Sequence, residues 1–501
     1  MKFDLKEAPA PYGWGYNTSR FVPKDSGKID SKNIKNLKLK WAFGFPYSQR
    51  ARSQPLFAMG SIFVGSQSGD IYALDVETGC VKWNFSASAE VRTGIIMDEW
   101  KNGKKPEKRP YIYFGDILAN EYALDAQTGE LIWKIKTDDH PNATRTATSA
   151  KFEDILFVPV SGLEVIPAFN DDYECCTFRG VLLAVEADTG EILWKKYSIP
   201  VPAKYSGTTS VGTRMFGPSG APIWTSPNID KKRRYVYIGT GENYSTPADD
   251  SSDAIIAYNI DTGEEVWRRQ TLAGDAWNLA CMGKGLPNCP EENGPDMDYS
   301  ASSILIDLGD RDILVAGQKS GSVYGINPDN GEIIWSKVVS GGGTQGGIHF
   351  GMASEGDVLY VPLNDMKDTL DGKVWLNRKP GMHSLDTETG NILWSKITDT
   401  ECKEIDINCD PGISAAVTAI PGAVIAGHLD GMIRVYDKDN GDILWSFNSL
   451  GDYESISGTP ASGGSFSGSG PSIRNGYMAI NSGYGIYNHM PGNALLLFTI
   501  D

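Results

Sequence analysis

Carboxylate and amide side chains occur in three apolar or glycine-rich segments, where such groups are unusual. Glu164 follows VPVSGL, Glu242 and Asn243 lie in YIGTGENYS, and Asp296 and Asp298 lie in PDMDYS. Carboxylate and amide oxygens are the ligands that hard cations prefer in proteins. Each residue taken alone is typical of a solvated loop. Their joint occurrence predicts a metal site assembled from distant parts of the chain.

Basic and aromatic residues form a second candidate group. Arg52 in RARSQP, Arg92 in AEVRTG and Lys319 in VAGQKSGSVY flank predicted strands. Three cations on an acidic protein would suit an anionic small molecule, and ordinary surface charge is the alternative. Trp224 in GAPIWTSP offers either a flat stacking surface or a structural side chain.

The seven cysteines are spaced as local pairs with one left over. The pairs are Cys175–Cys176 in YECCTFRG, Cys281–Cys289 in CMGKGLPNC and Cys402–Cys409 in CKEIDINC. Local pairs favour disulfides and an oxidising compartment, with zinc or free thiols as alternatives. Cys80, in ETGCVKW, is predicted to be a small buried thiol.

Charge and missing motifs exclude several function classes. The net charge of −17 argues against binding to nucleic acid or to an anionic membrane. The sequence contains no run of about twenty apolar residues and no signal-peptide core, so an exported protein would be in its mature form. It also lacks CxxCH, GxGxxG and GxSxG, and with five histidines a His-based catalytic cluster is not expected.

One repeat runs along the whole chain: a short apolar strand, a polar turn with Gly, and Trp four residues after the Gly. The repeats end at Trp83, Trp133, Trp194, Trp267, Trp335, Trp394 and Trp445, and Trp41 supplies an eighth position without the glycine turn. Such hairpins predict an all-β, eight-bladed β-propeller in one domain, residues 1–501, with the tryptophans docked between neighbouring blades. NALLLFTI is predicted to complete the blade begun around Trp41, and the long insertions are expected on one face.

The repeats, together with VSGLE, GTGEN, GQKSG and the paired cysteines, resemble the quinoprotein alcohol dehydrogenases that use pyrroloquinoline quinone (PQQ). YGWGYNTSRF, AEVRTG, ECCTFRG, GDAWNLAC and GGIHFGMA are similar to the polyvinyl-alcohol dehydrogenase branch, and the resemblance covers nearly the whole chain. It implies an oxidoreductase acting on primary, secondary or polymeric alcohols. A non-catalytic propeller that binds or scaffolds other molecules is the alternative.

The resemblance also implies roles for individual residues. The expected metal ligands are Glu164, Glu242, Asn243, Asp296 and Asp298, and the metal is Ca²⁺ or a lanthanide ion, since an Asp-x-Asp pair resembles the lanthanide-using members. The expected cofactor contacts are Arg52, Arg92, Thr146, Cys175, Cys176, Trp224, Lys319 and His349. Arg52 stands where the family often has Glu. A bonded Cys175–Cys176 pair would cover the quinone face opposite Trp224, and two free thiols remain the alternative.

The catalytic base is the least direct assignment. The family places its acid directly after a Trp, where this chain has Asn278, and an amide cannot act as a base. Asp296 is the expected base, with Asp275 as the alternative. The implied mechanism moves the alcohol proton to Asp296 and hydride to the metal-bound quinone, while Lys319 stabilises negative charge. An external cytochrome c would take the electrons, in a periplasmic or secreted location.

Overall fold

The computed structural model describes residues 2–9, 13–282, 285–366, 376–398 and 409–500. Eight antiparallel sheets follow one another along the chain, and we call them blades 1 to 8. Within a blade the strands are named A to D in the order in which they pair. Strand D is the outermost, because its residues are largely exposed or half-buried whereas strands A to C are buried.

The first four blades occupy residues 56–270. Blade 1 contains Leu56–Ala58, Ser61–Gly65, Asp70–Asp75 and Val81–Ser86. Blade 2 contains Ile96–Met97, Tyr111–Gly115, Asn120–Asp125 and Leu131–Lys136. Blade 3 contains Ala150–Phe152, Ile155–Gly162, Val181–Glu186 and Ile192–Tyr197, with Ala143–Thr144 as an added strand. Blade 4 contains Asn228–Asp230, Tyr235–Gly239, Ala254–Asn259 and Glu265–Gln270.

Blades 5 to 8 follow, and blade 8 contains strands from both ends of the chain. Blade 5 contains Ile304–Asp307, Asp312–Gly317, Ser322–Ile326 and Ile333–Val338. Blade 6 contains Ala353–Glu355, Val358–Leu363, Gly381–Asp386 and Ile392–Ile397. Blade 7 contains Thr418–Ile420, Ala423–Gly427, Met432–Asp437 and Ile443–Asn448. Blade 8 contains Ser472–Arg474, Tyr477–Ser482, Ala494–Thr499 and, from the start of the chain, Lys38–Gly44.

Short two-stranded ribbons and helical turns lie in the connections between these strands. Three two-stranded ribbons pair Lys204–Thr208 with Arg214–Gly217, Ser219–Gly220 with Asn243–Ser245, and Gly451–Tyr453 with Ala461–Gly463. The described helices are one α-helical turn, Lys24–Gly27, and the 3₁₀ turns Ile34–Asn36, Pro167–Phe169 and Leu279–Met282. Among the described residues no helix is long and apolar enough to cross a bilayer.

The hydrophobic core is divided into clusters that lie between blades. Each of eight clusters joins two neighbouring blades, and the series closes with one that packs Phe43 and Leu497 of blade 8 against Ile62 and Leu74 of blade 1. The ring is also closed by the backbone, since Lys38–Gly44 pairs antiparallel with Ala494–Thr499. The predicted all-β, eight-bladed propeller and its closure by NALLLFTI are confirmed.

The repeated tryptophans dock onto the next blade. Trp194 donates its Nε1 hydrogen to the carbonyl of Ile260 at 3.1 Å, and a Cβ on Gly263 would lie only 2.7 Å from its ring. The same contact joins Trp41, Trp83, Trp133, Trp267, Trp335 and Trp394 to the glycines at 79, 129, 190, 331, 390 and 441. Each of these glycines has a positive φ between 66° and 78°, a conformation that glycine adopts without steric cost. The docking prediction is therefore confirmed for seven positions.

Trp445 is different because of where the chain begins and ends. It faces blade 8, whose strand C ends at Thr499 and whose strand D begins at Lys38, so no continuous turn joins the two. Its ring packs instead on Phe447 and Phe498, with centroid distances of 6.1 and 5.8 Å.

Strand direction places the predicted site on one face. The glycine turns join strands C and D, so they lie at one end of the blades, the turn face. Connections from B to C and from D to A lie at the other end, because the strands are antiparallel. Each predicted site residue is on such a connection, as are the long insertions 163–180, 198–227 and 271–303. We call this end the site face.

The cysteine predictions have mixed outcomes. Cys175–Cys176 and Cys281–Cys289 are disulfides, as predicted. Cys409 is also disulfide-bonded, while Cys402 lies outside the described residues. The prediction that Cys80 is buried is wrong: it is exposed, because it follows the glycine turn at the start of an outermost strand.

Candidate active site

Three carboxylates and one ammonium group meet on the site face. The carboxylates of Glu242, Asp296 and Asp298 have oxygens within 4.8 Å of one another, and all three residues are buried. Lys319 Nζ donates hydrogen bonds to Asp296 Oδ1 at 2.9 Å and to Asp298 Oδ2 at 2.7 Å. We call these four residues the carboxylate cluster. Its three acidic groups exceed its single cation, so it can accept a further positive charge.

Three connections from blades 4 and 5 position this cluster. The N–H of Glu242 donates to Asp298 Oδ1 at 2.9 Å, and the N–H of Lys319 donates to the Asp298 carbonyl at 3.1 Å. Asp298 thus ties both B-to-C connections to the segment that precedes blade 5. Asp296 adopts a φ of +58°, in the left-handed region that is uncommon for residues other than glycine.

Burial and mutual charge shift the pKa values in the cluster in opposite directions. Burial raises the pKa of Asp296 well above its usual value, and burial with the neighbouring Asp298 charge does the same for Glu242. Burial opposes ionisation of Asp298, but the Lys319 ammonium holds its pKa below the usual value. Despite burial, Asp296 and Asp298 raise the pKa of Lys319. The cluster therefore combines an anionic Asp298 with carboxyls that take up a proton readily.

A small arginine-lined cavity lies beside the cluster. Arg52, Arg92, Thr146 and Trp224 all line it. Arg92 Nη1 donates to Thr146 Oγ1 at 3.3 Å. Burial, together with the nearby Arg52, lowers the pKa of Arg92 to about 10. Within the described part of the chain, Arg52 Nη1 and Arg92 Nε are buried without a hydrogen-bond partner, and Arg52 Nη1 lies 3.7 Å from Glu90 Oε1. The unsatisfied donors favour an anionic ligand, because leaving buried donors unpaired is costly.

Trp224 connects the cavity with the cluster. Lys319 Nζ lies 5.4 Å from the centroid of its ring, and Phe350 packs edge-on against the ring at 6.0 Å. His349 is buried next to Phe350 and contacts Ser414 Oγ through Nδ1 at 3.1 Å. Burial and the Lys319 charge lower the pKa of His349 to about 3, so its imidazole is neutral at ordinary pH.

The structure does not bring every predicted ligand into the cluster. Both carboxylate oxygens of Glu164 accept hydrogen bonds within its own insertion, from the Tyr173 hydroxyl at 2.9 Å and from the N–H groups of Thr177 and Phe178 at 2.9 and 2.7 Å. Asn243 bonds through its side chain to Ser219 and Asp249. Glu164 therefore lies outside the carboxylate cluster, and metal binding stays a prediction for all five residues.

The insertion that carries the cysteine pair packs next to the site segments. Cys175 Sγ lies 3.9 Å from Asn278 Nδ2. The same amide donates to the carbonyls of Tyr244 at 2.9 Å and Asn288 at 2.8 Å. Asn278 therefore links three segments by hydrogen bonds, which is a structural role.

Sequence reasoning missed several residues around the cavity. Trp14 and Phe350 line it, and Arg50 forms two hydrogen bonds with Glu90, at 3.0 and 2.6 Å. Arg52 lies over the ring of Tyr484 at 4.7 Å. Trp14 and Glu90 belong to YGWGYNTSRF and AEVRTG. These two motifs support the family resemblance, so membership in them could have marked both residues as candidates for the site.

Comparison with known proteins identifies the family. A model described as "Glucose/ethanol/alcohol dehydrogenase, beta-propeller domain", of the PQQ type, matches residues 10–284. A polyvinylalcohol dehydrogenase from Pseudomonas sp. is 37% identical over 99% of this chain and 78% of its own length. The chain belongs to the PQQ-dependent alcohol dehydrogenase family. A second polyvinylalcohol dehydrogenase, from Sphingopyxis sp., is 34% identical over 99% of this chain and 77% of its own length.

Solved structures support the fold of this PQQ-dependent alcohol dehydrogenase family member. Quinohemoprotein alcohol dehydrogenase from Comamonas testosteroni superposes with a TM-score of 0.69 at 18% identity, covering 98% of this chain and 80% of that structure. A europium-containing methanol dehydrogenase has a TM-score of 0.68 at 18% identity, with 98% of both chains covered. The family and enzyme class predicted from the sequence are confirmed. Residues 319–463 also match a model described as outer membrane protein assembly factor BamB.

The residues present fit the groups that this family uses. Three carboxylates with oxygens within 4.8 Å are a suitable donor set for a hard cation. The unsatisfied nitrogens of Arg52 and Arg92 suit the carboxylates of a quinone, and Trp224 offers a ring face beside them.

Proposed function

We propose that this protein is a PQQ-dependent alcohol dehydrogenase that oxidises primary, secondary or polymeric alcohols. The observation that carries the proposal is the position of Trp224, which lines the arginine-rich cavity while Lys319 of the carboxylate cluster lies over its ring. Two relatives of more than 30% identity are polyvinylalcohol dehydrogenases, which favours a polymeric alcohol as substrate.

Each part of the site receives a role. Glu242, Asp296 and Asp298 would hold Ca²⁺ or a lanthanide ion, with Glu164 and Asn243 as proposed additional ligands. The proposed cofactor contacts are Arg52, Arg92, Thr146, Trp224, Lys319, His349 and the Cys175–Cys176 disulfide. When bound, metal-coordinated PQQ would supply the electron-accepting chemistry that protein side chains lack.

The chain's own residues would then handle charge and protons. Asp296 is the proposed base: its Oδ1 accepts from Lys319, which leaves Oδ2 to receive the hydroxyl proton of the alcohol. Asp298 is less suited, because Oδ1 accepts from the Glu242 N–H and Oδ2 from Lys319. Lys319 keeps a positive charge where negative charge develops.

The electron acceptor and location are part of the proposal. We propose an external cytochrome c as acceptor, because the reduced quinone must pass its electrons to another redox centre. Disulfides persist in oxidising compartments, and the Cys281–Cys289 bond therefore favours a periplasmic or secreted protein.

Reconstitution tests the proposal directly. Purified protein is stripped with chelator, incubated with PQQ plus Ca²⁺ or La³⁺, and assayed for dye reduction with poly(vinyl alcohol), a secondary alcohol and a primary alcohol. We expect quinone absorbance to accompany the protein and alcohol-dependent dye reduction with one of the two metals. No bound quinone and no dye reduction with either metal would favour a non-catalytic propeller instead.

A further inference from the structure

Asp275 binds the backbone of the segment that contains Asp296. It is fully buried in the connection between blades 4 and 5. Its Oδ1 accepts a hydrogen bond from the Asp296 N–H at 3.1 Å, and its Oδ2 accepts one from the Met297 N–H at 2.8 Å. Two successive N–H groups that converge on an anion form a recognised anion-binding arrangement. Here the anion is a side chain of the same connection.

The backbone held in this way is an unusual one. Asp296 has a φ of +58°, which costs free energy for a residue with a Cβ and persists only where the surroundings enforce it. The Asp275 carboxylate contacts this residue and the next one. It is therefore placed to enforce the conformation that directs the Asp296 carboxylate to Lys319 Nζ, 2.9 Å away.

Asp275 is itself fixed to the neighbouring connection of blade 4. Its carbonyl accepts from the N–H of Asn243 at 3.0 Å, next to Glu242 in the chain. Gly294 approaches so closely that an added Cβ would lie 2.2 Å from Asp275 Oδ1, and its N–H donates to the Ala276 carbonyl at 2.8 Å. Asp275 thus joins the segment with Glu242 to the segment with Asp296.

We propose that Asp275 is a positioning residue of the carboxylate cluster, which fixes the backbone of Asp296 and Met297 and so holds the Asp296 carboxylate in place. The inference rests on the proposed function, in which Asp296 binds a metal and accepts a proton. It also argues against Asp275 as the base, because both of its oxygens already accept backbone hydrogen bonds.

Asp275→Asn tests the role in the full-length protein. The amide turns an NH₂ group toward one of the two backbone N–H groups, so at least one hydrogen bond is lost. We expect faster hydrogen exchange in peptides that span 295–299. We also expect Tb³⁺ affinity, measured by luminescence titration without PQQ, to fall about 10–100-fold, the usual effect of losing a residue that orients metal ligands. In the reconstituted enzyme kcat should fall by a similar factor, with KM for the alcohol unchanged.

Gly294→Ala tests the same contact without removing a charge. Its new methyl group would lie 2.2 Å from Asp275 Oδ1 and 2.8 Å from Asp275 Cα and Ala276 N, so it would displace the carboxylate together with its backbone, and the same three changes are expected. Asp230→Asn is the matched control on the turn face of blade 4. Asp230 is buried, and its Oδ1 accepts from the N–H groups of Lys232 and Arg233 at 3.0 Å. This variant should lose stability while Tb³⁺ affinity, kcat and exchange at 295–299 stay unchanged.

The outcomes separate this inference from the proposed function. Unchanged exchange at 295–299 in both site variants, or faster exchange with unchanged Tb³⁺ affinity, would overturn the positioning role. Complete loss of turnover in Asp275→Asn with normal Tb³⁺ affinity and normal exchange would instead identify Asp275 as the base. A wild-type protein that oxidises no alcohol would refute the proposed function, whereas exchange and Tb³⁺ affinity would still decide the role of Asp275.

Discussion

The two faces of the propeller are built in different ways. On the turn face, seven tryptophans make the same contact with seven glycine turns: each ring packs on the glycine, and its Nε1 donates one hydrogen bond to a carbonyl three residues before that glycine. On the site face, the cluster of Glu242, Asp296, Asp298 and Lys319 comes from three connections and contains like charges close together. The repeated contacts stabilise the ring of blades. The site face instead contains closely spaced like charges and a left-handed backbone, features that cost stability and are typical of functional sites.

The largest expected effect separates activity from stability. Asp296→Asn removes the proposed base, and loss of a general base typically costs about 10²–10⁴-fold in rate. We expect kcat to fall by at least about 10³-fold, while the unfolding midpoint is unchanged or higher, because one of three crowded carboxylates becomes neutral. Steady-state dye reduction and urea unfolding measure the two quantities.

Asp307→Asn is the control for this prediction. Asp307 is exposed at the end of strand A of blade 5, on the turn face, and its Oδ1 accepts a hydrogen bond from the Gly309 N–H at 2.7 Å. This variant should retain full activity. If Asp296→Asn keeps more than a tenth of the wild-type kcat, Asp296 is not the base, and Asp275 and Asp298 are the alternatives to test.

The two faces also differ in how far the sequence predicts them. The turn-face contacts can be predicted because one motif repeats: seven copies have Gly four residues before Trp, the turn requires positive φ, and the Trp of one copy docks on the Gly of the next. The fold, its closure and the docking could therefore be predicted. Trp41 lacks the glycine turn, and Trp445 has no such turn to dock on because strands C and D of blade 8 are Ala494–Thr499 and Lys38–Gly44.

The site face is encoded over long distances. Glu242 and Asp298 are 56 residues apart yet share a hydrogen bond, and nothing local in PDMDYS signals the left-handed backbone at Asp296. The residue types pointed to a metal site, but the partners of Glu164 and the role of Asp275 depend on insertions whose packing follows no repeat. The prediction for Cys80 is wrong because free cysteines are usually buried, whereas this one lies at the start of an outermost strand and faces outward.

The next effect concerns the turn face alone. Gly331→Ala places a Cβ 2.6 Å from the Trp267 ring at a φ of +73°, which adds overpacking to backbone strain. We expect a loss of about 2–4 kcal/mol in unfolding free energy, measured by urea denaturation, with normal kcat for the folded enzyme. Gly309→Ala isolates the backbone cost, since φ is +93° there and no atom lies within 4 Å of the new Cβ. Equal losses in the two variants would show that the docked tryptophan contributes nothing.

A smaller effect depends on pH and belongs to the site face. His428, on the B-to-C connection of blade 7, contacts the Pro411 carbonyl through Nδ1 at 3.0 Å and the Tyr436 hydroxyl through Nε2 at 2.9 Å. Burial and the Arg434 charge lower its pKa well below the ordinary value of 6.5. The unfolded chain therefore binds a proton near pH 6.5 that the folded protein excludes, so this stability is present above pH 6.5 and is lost as the pH falls.

His428→Asn should remove that dependence. Between pH 6.5 and 5, each such histidine costs about 1.4 kcal/mol of stability per pH unit. The variant should be less stable than wild type at pH 7.5, yet its unfolding free energy should decline less steeply on acidification by about that amount. Parallel stability curves for the two proteins would contradict the assignment.

The smallest expected effect is at Cys80, which is exposed beside a turn whose glycine, not its cysteine, contacts Trp41. Cys80→Ser should change stability by less than about 0.5 kcal/mol, as surface substitutions usually do. It should also abolish labelling of the native protein by a thiol reagent, because Cys175, Cys176, Cys281, Cys289 and Cys409 are disulfide-bonded. One labelled thiol per native chain is expected. A second would show that one of the six remaining cysteines is reduced, and peptide mapping would place it on the site face or elsewhere.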